Sequence, residues 1–226
     1  KIKWLNNLNE LNNFPCIFVA NEFFDALPIK QFLKKEKKWY ERHVKFTNDK
    51  KLEYLDVPFD MQKFEKKIRL KISYNQNFIE YSPLTKKYLE TIIKKIKLNN
   101  GGILIIDYAY LEKKMKNTLQ AVSKHKYCDV LKGYRNSDIT YNLSFNLITK
   151  IIKKLGPCSF LLTTQKKFLT KLGILDRAEI LSKNMSFSEK ADIYFRIKRL
   201  IDDGQMGHLF KIMFITNIKN KFHLGF

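Results

Sequence analysis

The amino-acid sequence predicts an α/β fold, in which helices flank a buried and mostly parallel sheet. Two short apolar runs, Cys16–Ala20 and Ile103–Ile106, are typical of strands that are buried on both faces. An amphipathic helix, Pro83–Leu98, precedes the second run, with apolar residues three and four positions apart. Asn99, Asn100 and two glycines separate that helix from the strand. A helix, a glycine turn and a buried strand in this order form an α/β unit of the parallel kind.

The composition indicates a folded protein but does not identify a partner. Hydrophobic residues make up 45% of the 226 residues, enough for one substantial core. A net charge of +21 usually indicates nucleic acid or an anionic surface. Most of the basic residues are lysines that accompany abundant Asn, Ile and Phe, a bias typical of an AT-rich genome, whereas phosphate-binding surfaces generally favour arginine. We therefore predict no specific nucleic-acid partner. A nucleic-acid-binding protein is an alternative that rests on charge alone.

Cysteines and hydropathy indicate a reducing compartment and no membrane span. Three widely spaced cysteines, Cys16, Cys128 and Cys158, form no CxxC pair and no disulfide framework. No apolar run reaches transmembrane length, and no signal-peptide pattern is present. The sequence opens at Lys1 without an initiator methionine, so we expect further residues upstream.

The first predicted strand gives way within two residues to a polar cluster. This cluster contains Asn21, Glu22 and Asp25, with Phe23 and Phe24 between them. Open α/β sheets bind ligands at the carboxyl ends of their strands, and we interpret the cluster as a functional site. The structural alternative is a helix N-cap, with Asn21 as the cap and the two acids favoured by the helix dipole.

The middle of the chain predicts a β-hairpin and a capped helix. Trp39–Phe46 alternates at period two, turn residues follow, and Lys51–Val57 returns as a second strand. Phe59–Ile79 shows neither periodicity, because lysines interrupt both patterns. Ser82 before Pro83 predicts an N-cap followed by proline at the first helical position.

The second half of the chain predicts further strands and helices with no linker between them. The strands are Ser159–Thr164 and Leu209–Thr216, and the helices are Phe145–Leu155, Lys166–Leu172, Arg177–Lys183 and Ser188–Ile201. Tyr134–Thr140 has the composition of a loop. Because no repeat or linker divides the sequence, residues 1–226 are expected to form a single domain.

The chemistry that these residues support centres on acids. The four histidines are far apart and form no metal-binding pattern, and the GxSxG and P-loop motifs are absent. The remaining candidates are the strand-end acids Glu22, Asp25 and Asp107, with Glu80 and Asp138 on predicted loops. Carboxylates beside aromatic rings suit a planar cation such as guanidinium, and could also deprotonate a nitrogen nucleophile. Each acid could instead be a cap or part of a surface ion pair.

Several motifs together resemble the MidA-like family of S-adenosylmethionine-dependent methyltransferases. They run in order through the chain: Ile2–Trp4, ANEFFDALPIKQF from Ala20, Glu80–Pro83, GGILIIDYAY from Gly101, Thr118–Ala121 with His125, Ser137–Thr140, Thr164-Gln165, Phe168-Leu169, Leu172–Ile174 and Met206-Gly207 with Phe210-Lys211. The mitochondrial members of this family are arginine methyltransferases that act in the assembly of respiratory complex I. The resemblance therefore implies S-adenosyl-L-methionine as cofactor and a protein substrate, which could be a complex I subunit.

The resemblance also implies a Rossmann-like class I methyltransferase fold, of which this chain supplies the C-terminal part with a β-hairpin insertion. The glycine-rich turn that holds the cofactor would lie upstream of Lys1. Without those strands we expect the Cys16–Ala20 strand to be an exposed apolar edge, and the 226 residues alone to be poorly soluble and to bind cofactor weakly or not at all. The implied compartment is the bacterial cytoplasm or, in a eukaryote, the mitochondrial matrix. A homodimer is compatible with the resemblance.

Carried over residue by residue, the resemblance assigns roles to the candidate residues. The catalytic residues are Asn21, Glu22 and Asp25; the substrate-binding residues are Glu80, Asp107, Tyr108, His125 and Asp138; the cofactor-binding residues are Asn21 and Phe23. No metal ligand is expected.

The sequence departs from the family pattern at four positions. Ala109 replaces a glycine, Asn142 and Ser144 replace a histidine and an aspartate, and Lys166 replaces a glycine. The departures at Ala109, Asn142 and Lys166 favour the alternative function, a catalytically eroded scaffold or assembly factor that keeps the fold.

Overall fold

The structure is a computed structural model that describes residues 2–49, 51–124, 126–133, 136–217 and 223–226. The strands within these ranges are β1 (Cys16–Asn21), β2 (Lys30–Lys35), β3 (Lys38–Phe46), β4 (Leu52–Pro58), β5 (Phe78–Tyr81), β6 (Gly101–Tyr110), β7 (Gln120–Ser123), β8 (Lys126–Cys128), β9 (Asp138–Thr140), β10 (Leu143–Ser144), β11 (Ser159–Thr164) and β12 (Phe210–Thr216). The helices are α1 (Met61–Ile68), α2 (Pro83–Asn99), α3 (Val130–Gly133), α4 (Phe145–Lys154), α5 (Gln165–Lys171), α6 (Ile174–Ser182), α7 (Phe187–Ile201) and α8 (Met206–Leu209).

The chain divides into two compact units, each made of separate stretches of sequence. The first unit contains Lys1–Glu22, Thr91–Ala109 and Gly156–Phe226. The second unit contains Phe23–Glu90 and Tyr110–Leu155. The single-domain expectation for residues 1–226 remains a prediction.

The first unit contains a sheet whose strands follow the order β1-β6-β12-β11. β1 and β6 run parallel, in register from Cys16 opposite Gly101 to Asn21 opposite Ile106. β12 is antiparallel to both of its neighbours, β6 and β11. The predicted parallel α/β unit is thus confirmed, and the antiparallel strand is a feature that the apolar pattern of Leu209–Thr216 did not reveal.

Close approach of β1 and β6 requires the glycine that precedes the second apolar run. Gly101 has a φ of +110°, and a Cβ atom placed there would lie 1.9 Å from the carbonyl oxygen of Cys16. Any side chain at this position would therefore push β1 and β6 apart. Beyond this point Ile103 and Ile105 of β6 and Met213 of β12 are buried in the core of the first unit.

β1 is half-buried rather than buried on both faces. Ile17 and Val19 are each 65% exposed, whereas Ala20 is buried. The expectation of a fully buried strand is therefore wrong for β1 among the residues that the structure describes. β1 stands at one end of the described strand order, where β6 is its neighbour on one side.

The helices of the first unit match the predicted ones, with starts set by capping residues. Thr164 caps α5, accepting a hydrogen bond from the backbone N–H of Lys167 at 3.3 Å. Ser186 and Glu189 form a capping box at the start of α7. α6 begins directly after Gly173, so it includes a first turn that the predicted Arg177–Lys183 helix left out.

The second unit is built on an antiparallel sheet with the strand order β4-β3-β2-β5. The predicted hairpin is confirmed as β3 and β4, in register from Tyr40 opposite Pro58 to Phe46 opposite Leu52. Glu80 lies in β5 rather than on a loop, because β5 completes its hydrogen bonding by pairing with β2. That partner is distant in sequence, and the lysines of β2 obscured its strand pattern.

Aromatic side chains fill the core beside this sheet. The ring of Phe32 lies 4.7 Å from that of Phe59 and 5.2 Å from that of Phe64, between ring centroids. Phe64 in turn contacts Tyr81 edge to face at 5.5 Å. Phe64 belongs to α1, a helix within the Phe59–Ile79 segment that sequence periodicity left unassigned.

A smaller antiparallel sheet in the second unit has the strand order β8-β7-β9. Asp138 therefore begins a strand, β9, and the loop predicted there is wrong for this residue. The pairing of Val122 with Asp138 and of Gln120 with Thr140 stabilises β9. Such tertiary pairing cannot be seen in three residues of sequence.

The described residues before β1 are largely irregular. Ile2–Trp4 lies outside any strand, and Leu8–Glu10 forms a short 3-10 turn. Among the residues described, no helix is long and apolar enough to cross a membrane.

Candidate functional site

Three strands of the first unit bring polar residues to one edge of its sheet. β1 and β6 run parallel, so their carboxyl ends lie at the same edge, and antiparallel β12 starts there. The register places Asn21 opposite Ile106, Tyr108 opposite Phe210, and Asp107 opposite Lys211. We call Asn21, Glu22, Asp107, Tyr108 and Lys211 the strand-end site.

Glu22, the residue directly after β1, has an unfavourable backbone conformation. Its φ of 46° lies in the left-handed region, which costs roughly 1–2 kcal/mol for a residue with a Cβ. Its backbone N–H donates to the carbonyl oxygen of Ile106 at 2.9 Å, which continues the ladder between β1 and β6. The carboxylate is exposed, with the Asn21 amide nitrogen 3.4 Å from Oε1. A strained residue that displays a charged group is a candidate for function.

The N-cap interpretation of this stretch is wrong. After Asn21 the chain passes through a bend and a turn and enters β2 at Lys30, with no helix between them. Asn21 and Glu22 therefore do not serve a helix N-terminus, and their side chains are exposed at the strand end.

Asp107 is the buried acid of the strand-end site. Its side chain is 0% exposed, and Oδ1 accepts a hydrogen bond from the Tyr108 backbone N–H at 2.9 Å. Lys211, directly opposite on β12, is 6% exposed, and its ammonium donates to the carbonyl oxygen of His208. Side chains directly opposite in an antiparallel pair lie close together on one face of the sheet. Asp107 and Lys211, both buried, therefore lie directly opposite each other on neighbouring strands.

Lys211 was missed as a site residue in the sequence analysis. The signal that could have revealed it is a lysine inside the apolar run Leu209–Thr216. Charged residues are almost never fully buried unless they are paired. The aromatic ring of Phe210, the preceding residue, lies 4.1 Å from that of Tyr108 and forms an aromatic side to the site.

Phe23 and Asp25 belong to the second unit. Phe23 is 41% exposed and contacts Phe24 and Tyr88 edge to face, at 5.2 and 5.3 Å between ring centroids. Asp25 is 3% exposed, and its backbone carbonyl accepts a hydrogen bond from the Tyr141 N–H at 3.2 Å. Of these two predicted residues, Phe23 is accessible to a ligand and Asp25 is largely shielded from solvent.

Glu80 is the centre of a hydrogen-bond network in the second unit. Its side chain is 4% exposed. Oε1 accepts from the amide of Gln31 at 2.9 Å and from the backbone N–H groups of Thr118 and Leu119 at 3.0 and 3.1 Å. Oε2 accepts from the Thr118 hydroxyl at 2.5 Å. The carboxylate thus fixes the chain at Thr118 and Leu119, and both of its oxygens are already engaged.

A cavity of about 20 Å³ lies beside Glu80. Its polar lining includes the hydroxyls of Thr85 and Tyr141, which lie 3.4 Å apart, and a volume of this size is enough for about one water molecule. Burial raises the pKa of Tyr110 above its usual value, and it raises the pKa of Tyr81 to about 12. These phenols are neutral hydrogen-bonding groups throughout the physiological range.

The remaining predicted residues are Asp138 and His125. Asp138 is exposed at the start of β9. His125 lies outside the described residues. The structure thus brings together Asn21, Glu22, Asp107 and Tyr108 in the first unit and places Phe23, Asp25, Glu80 and Asp138 in the second.

The four departures from the family pattern have simple structural accounts. Ala109 lies within β6 in extended backbone, where alanine is as acceptable as glycine. The backbone N–H of Asn142 donates to the Thr118 hydroxyl at 2.9 Å, and Ser144 caps α4. Lys166 forms an ion pair with Asp203 at 2.6 Å. Within the described ranges, no cluster of three or more His, Cys, Asp or Glu side chains could hold a metal ion.

The fold matches solved structures. A structure from Burkholderia thailandensis, described as a "likely methyl transferase" bound to S-adenosyl-homocysteine, has a TM-score of 0.79 and 22% sequence identity, covering 99% of this chain and 58% of that one. A native structure of a related protein from the same organism has the same TM-score and identity. The chain therefore has the fold predicted above, that of a Rossmann-like class I methyltransferase.

The curated relatives that the chain resembles are named as protein arginine methyltransferases. The protein arginine methyltransferase NDUFAF7 of zebrafish mitochondria is 25% identical over 220 residues, which cover 96% of this chain and 51% of the relative. The Caenorhabditis elegans homologue is 27% identical over 182 residues, and the human protein is 24% identical over 216 residues. The chain thus spans about half the length of the curated relatives it matches.

Residues 1–162 match a family described as "Putative S-adenosyl-L-methionine-dependent methyltransferase". The match covers more than half of the 226 residues and includes the strand ends of β1 and β6. The chain belongs to this methyltransferase family.

Proposed function

We propose that the intact protein transfers a methyl group from S-adenosyl-L-methionine to an arginine side chain of a protein substrate, in a process linked to respiratory complex I assembly. The observation that carries this proposal is Glu22, whose exposed carboxylate stands in a strained conformation at the carboxyl end of β1. Family membership supports the cofactor, and the relatives named protein arginine methyltransferase support the guanidinium acceptor.

The strand-end site fits one side of a cofactor and substrate site. Asn21 presents an exposed amide at the carboxyl edge of a parallel strand pair, the place where open α/β sheets bind ligands. Asn21 would hold the polar part of S-adenosyl-L-methionine through that amide. When bound, S-adenosyl-L-methionine supplies an electrophilic methyl group on a sulfonium.

The mechanism that follows gives Glu22 two tasks. Its carboxylate would bind the substrate guanidinium in fork geometry, which orients one guanidinium nitrogen for in-line attack. In the transfer a nitrogen–carbon bond forms as the sulfur–carbon bond breaks, and Glu22 accepts the proton that the nitrogen releases. Asp107 and Lys211, buried opposite each other, would keep the neighbouring strand end rigid.

The other predicted roles are proposals from sequence. They are proton acceptance by Asp25, cofactor contact by Phe23, and substrate binding by Glu80, Asp107, Tyr108, His125 and Asp138. The same holds for a complex I subunit as substrate, for a homodimer, and for the compartment, the mitochondrial matrix in a eukaryote or the cytoplasm in a bacterium. The names of the curated relatives include the word "mitochondrial", which supports a mitochondrial location in a eukaryote.

Replacement of Glu22 tests the proposal. The intact protein is incubated with S-adenosyl-L-methionine labelled in its methyl group and a protein extract from cells that lack it, and methylarginine is counted after hydrolysis. We expect Glu22→Gln to lower incorporation by about 100-fold, because general base catalysis contributes at least that much. Glu179→Gln, an exposed change of the same kind on α6, should leave incorporation unchanged. Equal activity of the Glu22 variant and the wild type would remove the proposed base.

The alternative function is a catalytically eroded scaffold or assembly factor. The observation that favours it is Asn142, which stands where the family has a histidine and whose backbone N–H is bonded to Thr118. This alternative predicts no methylarginine from either the wild type or the Glu22 variant, with binding to the partner retained.

A further inference from the structure

The second unit carries a groove with an apolar base and a cationic rim. Two cavities, of about 510 and 720 Å³, meet where Arg69, Leu70 and Lys154 line both of them. The groove lies among α1, the loop that follows it, α2 and α4. It is separate from the Glu80 network, and no residue of the proposed strand-end site lines it.

Five of the cations that line the groove form no ion pair with a neighbouring acid in the part of the chain that the structure describes. Its rim carries Lys66, Lys67, Arg69, Lys71 and Lys154, all exposed. Among the described residues, no ion pair joins any of these five to a carboxylate. Lysines elsewhere in the same unit do pair, such as Lys35 with Asp56 at 2.8 Å. Uncompensated charge of one sign along a groove concentrates the field there and attracts anions.

The two acids that line the groove are already engaged. Oε1 of Glu65 accepts hydrogen bonds from the backbone N–H groups of Ile72 and Ser73 at 2.6 and 2.7 Å. Glu90 forms an ion pair with Lys86, one turn earlier on α2. Glu65 therefore orders the loop after α1, and Glu90 pairs with a lysine on its own helix. The five rim cations keep a net positive charge along the groove.

Arg69 has a backbone conformation that residues other than glycine disfavour. It ends α1 in the left-handed conformation with a φ of 54° and a ψ of 35°, a position that glycine usually occupies. Arginine is also rare in this chain, with six arginines among 43 basic residues, at positions 42, 69, 135, 177, 196 and 199. A fork-shaped cation at a strained position common to both cavities fits recognition of carboxylates.

The base of the groove is apolar. Ile68, Leu70, Ile151 and Leu155 line it, and Leu70 and Ile151 belong to the buried core of the second unit. An apolar base is of little use to a polyanion that carries only phosphates, but it accommodates the side chains of a peptide.

We propose that this groove binds an acidic protein segment that also carries apolar side chains. Carboxylates of the segment contact Arg69 and the rim lysines, and its apolar side chains lie on Ile68 and Leu155. This interaction surface lies outside the proposed strand-end site and does not depend on methyl transfer.

Binding of a short labelled peptide rich in Glu and Leu, measured by fluorescence anisotropy, tests the proposal on the intact protein. The groove variant is Arg69→Gly with Lys154→Gln. Glycine suits the left-handed conformation, so this variant should melt no lower than the wild type. The control, Lys167→Gln with Lys183→Gln, removes the same charge from exposed positions of the first unit.

We expect the groove variant to weaken peptide binding by about tenfold and the control to change it by less than about twofold. A second groove variant, Lys66→Gln with Lys71→Gln, should also weaken binding. A peptide with serine in place of leucine should bind more weakly than the parent, because it lacks contact with the apolar base.

Three results would overturn the proposal. One is an equal loss of affinity in the groove and control variants, which would mean that total charge alone attracts the peptide. Another is equal binding of the serine and leucine peptides. The third is tighter binding of a single-stranded RNA that requires the same groove residues, which would make the groove a nucleic-acid site.

Discussion

Glu22, just after β1, and Glu80, within β5, are two glutamates whose surroundings give them opposite properties. Glu22 directly follows β1, with its carboxylate exposed and the Asn21 amide nitrogen 3.4 Å away. Glu80 lies in β5, 4% exposed, and accepts four hydrogen bonds from Gln31, Thr118 and Leu119. Of the two carboxylates, that of Glu22 is open to a ligand, while that of Glu80 holds the chain around it.

The role of an acid near a predicted site therefore depends on its hydrogen-bond partners. A carboxylate with all of its acceptor positions occupied stabilises the fold, and removing it leaves buried donors without partners. A carboxylate held exposed on a strained backbone lowers stability, and a functional role explains why it is retained.

Removal of the Glu80 side chain should give the largest effect. Glu80→Ala leaves the backbone N–H groups of Thr118 and Leu119 without their acceptor. It also removes one of the two acceptors of the Gln31 amide, which keeps its hydrogen bond to Asn117. We expect a loss of about 3 kcal/mol in the free energy of unfolding, measured by urea titration, since each buried unsatisfied donor costs about 1–3 kcal/mol. Glu80→Gln retains an acceptor and should cost less. A loss for Glu80→Ala no greater than that of an exposed Glu→Ala change would contradict the network.

Relief of backbone strain at Glu22 should give a smaller effect of opposite sign. Glycine accepts the φ of 46° freely, so Glu22→Gly should raise the free energy of unfolding by about 1 kcal/mol. Under the proposed function the same variant loses methyl transfer. Destabilisation by Glu22→Gly in thermal melts would show that the carboxylate itself supports the fold.

Asp56 extends the comparison to a carboxylate with cationic partners and should give the smallest effect. A hydrogen bond from Lys35 holds the pKa of Asp56 below its usual value of 3.8, with a further contribution from Arg42. Because the folded-state pKa is depressed, the stabilisation is present above pH 3.8 and is lost as the pH falls through the folded value.

The matched variant for this test is Asp56→Asn. Below pH 3.8 it should show a shallower fall in stability than the wild type in acid titrations followed by circular dichroism. Identical acid profiles of the two proteins would mean that the Lys35 contact contributes nothing measurable.

Much of the fold could be predicted from local sequence. The β1–β6 pair and α2 follow from apolar runs, a serine–proline cap and the required Gly101. The strands β2, β5 and β9 could not be predicted, because their hydrogen bonds come from distant partners and their side chains show no clear alternation.

The candidate site was predictable in part, for a similar reason. The run of Asn21 and Glu22 at a strand end is visible in the sequence, and so is Asp107. The position of Lys211 opposite Asp107 depends on the register of β12, which a sequence pattern does not contain. The same limit applies to Glu80, whose partners Thr118 and Leu119 lie 38 and 39 residues away.

The central claim is that the carboxylate of Glu22 serves the reaction and that of Glu80 serves the fold. It is tested by comparing Glu22→Gln and Glu80→Gln in one assay, which measures the single-turnover rate of methyl transfer per folded molecule. We predict that Glu22→Gln keeps the wild-type melting temperature and loses about 100-fold in rate, the minimum contribution of a general base. Glu80→Gln should melt at a lower temperature and, with substrate at saturating concentration, keep a rate within a few-fold of wild type, since a role in substrate binding would raise KM instead. The reverse result, a normal rate for Glu22→Gln and a lost rate with unchanged melting for Glu80→Gln, would contradict the assignment of the two glutamates.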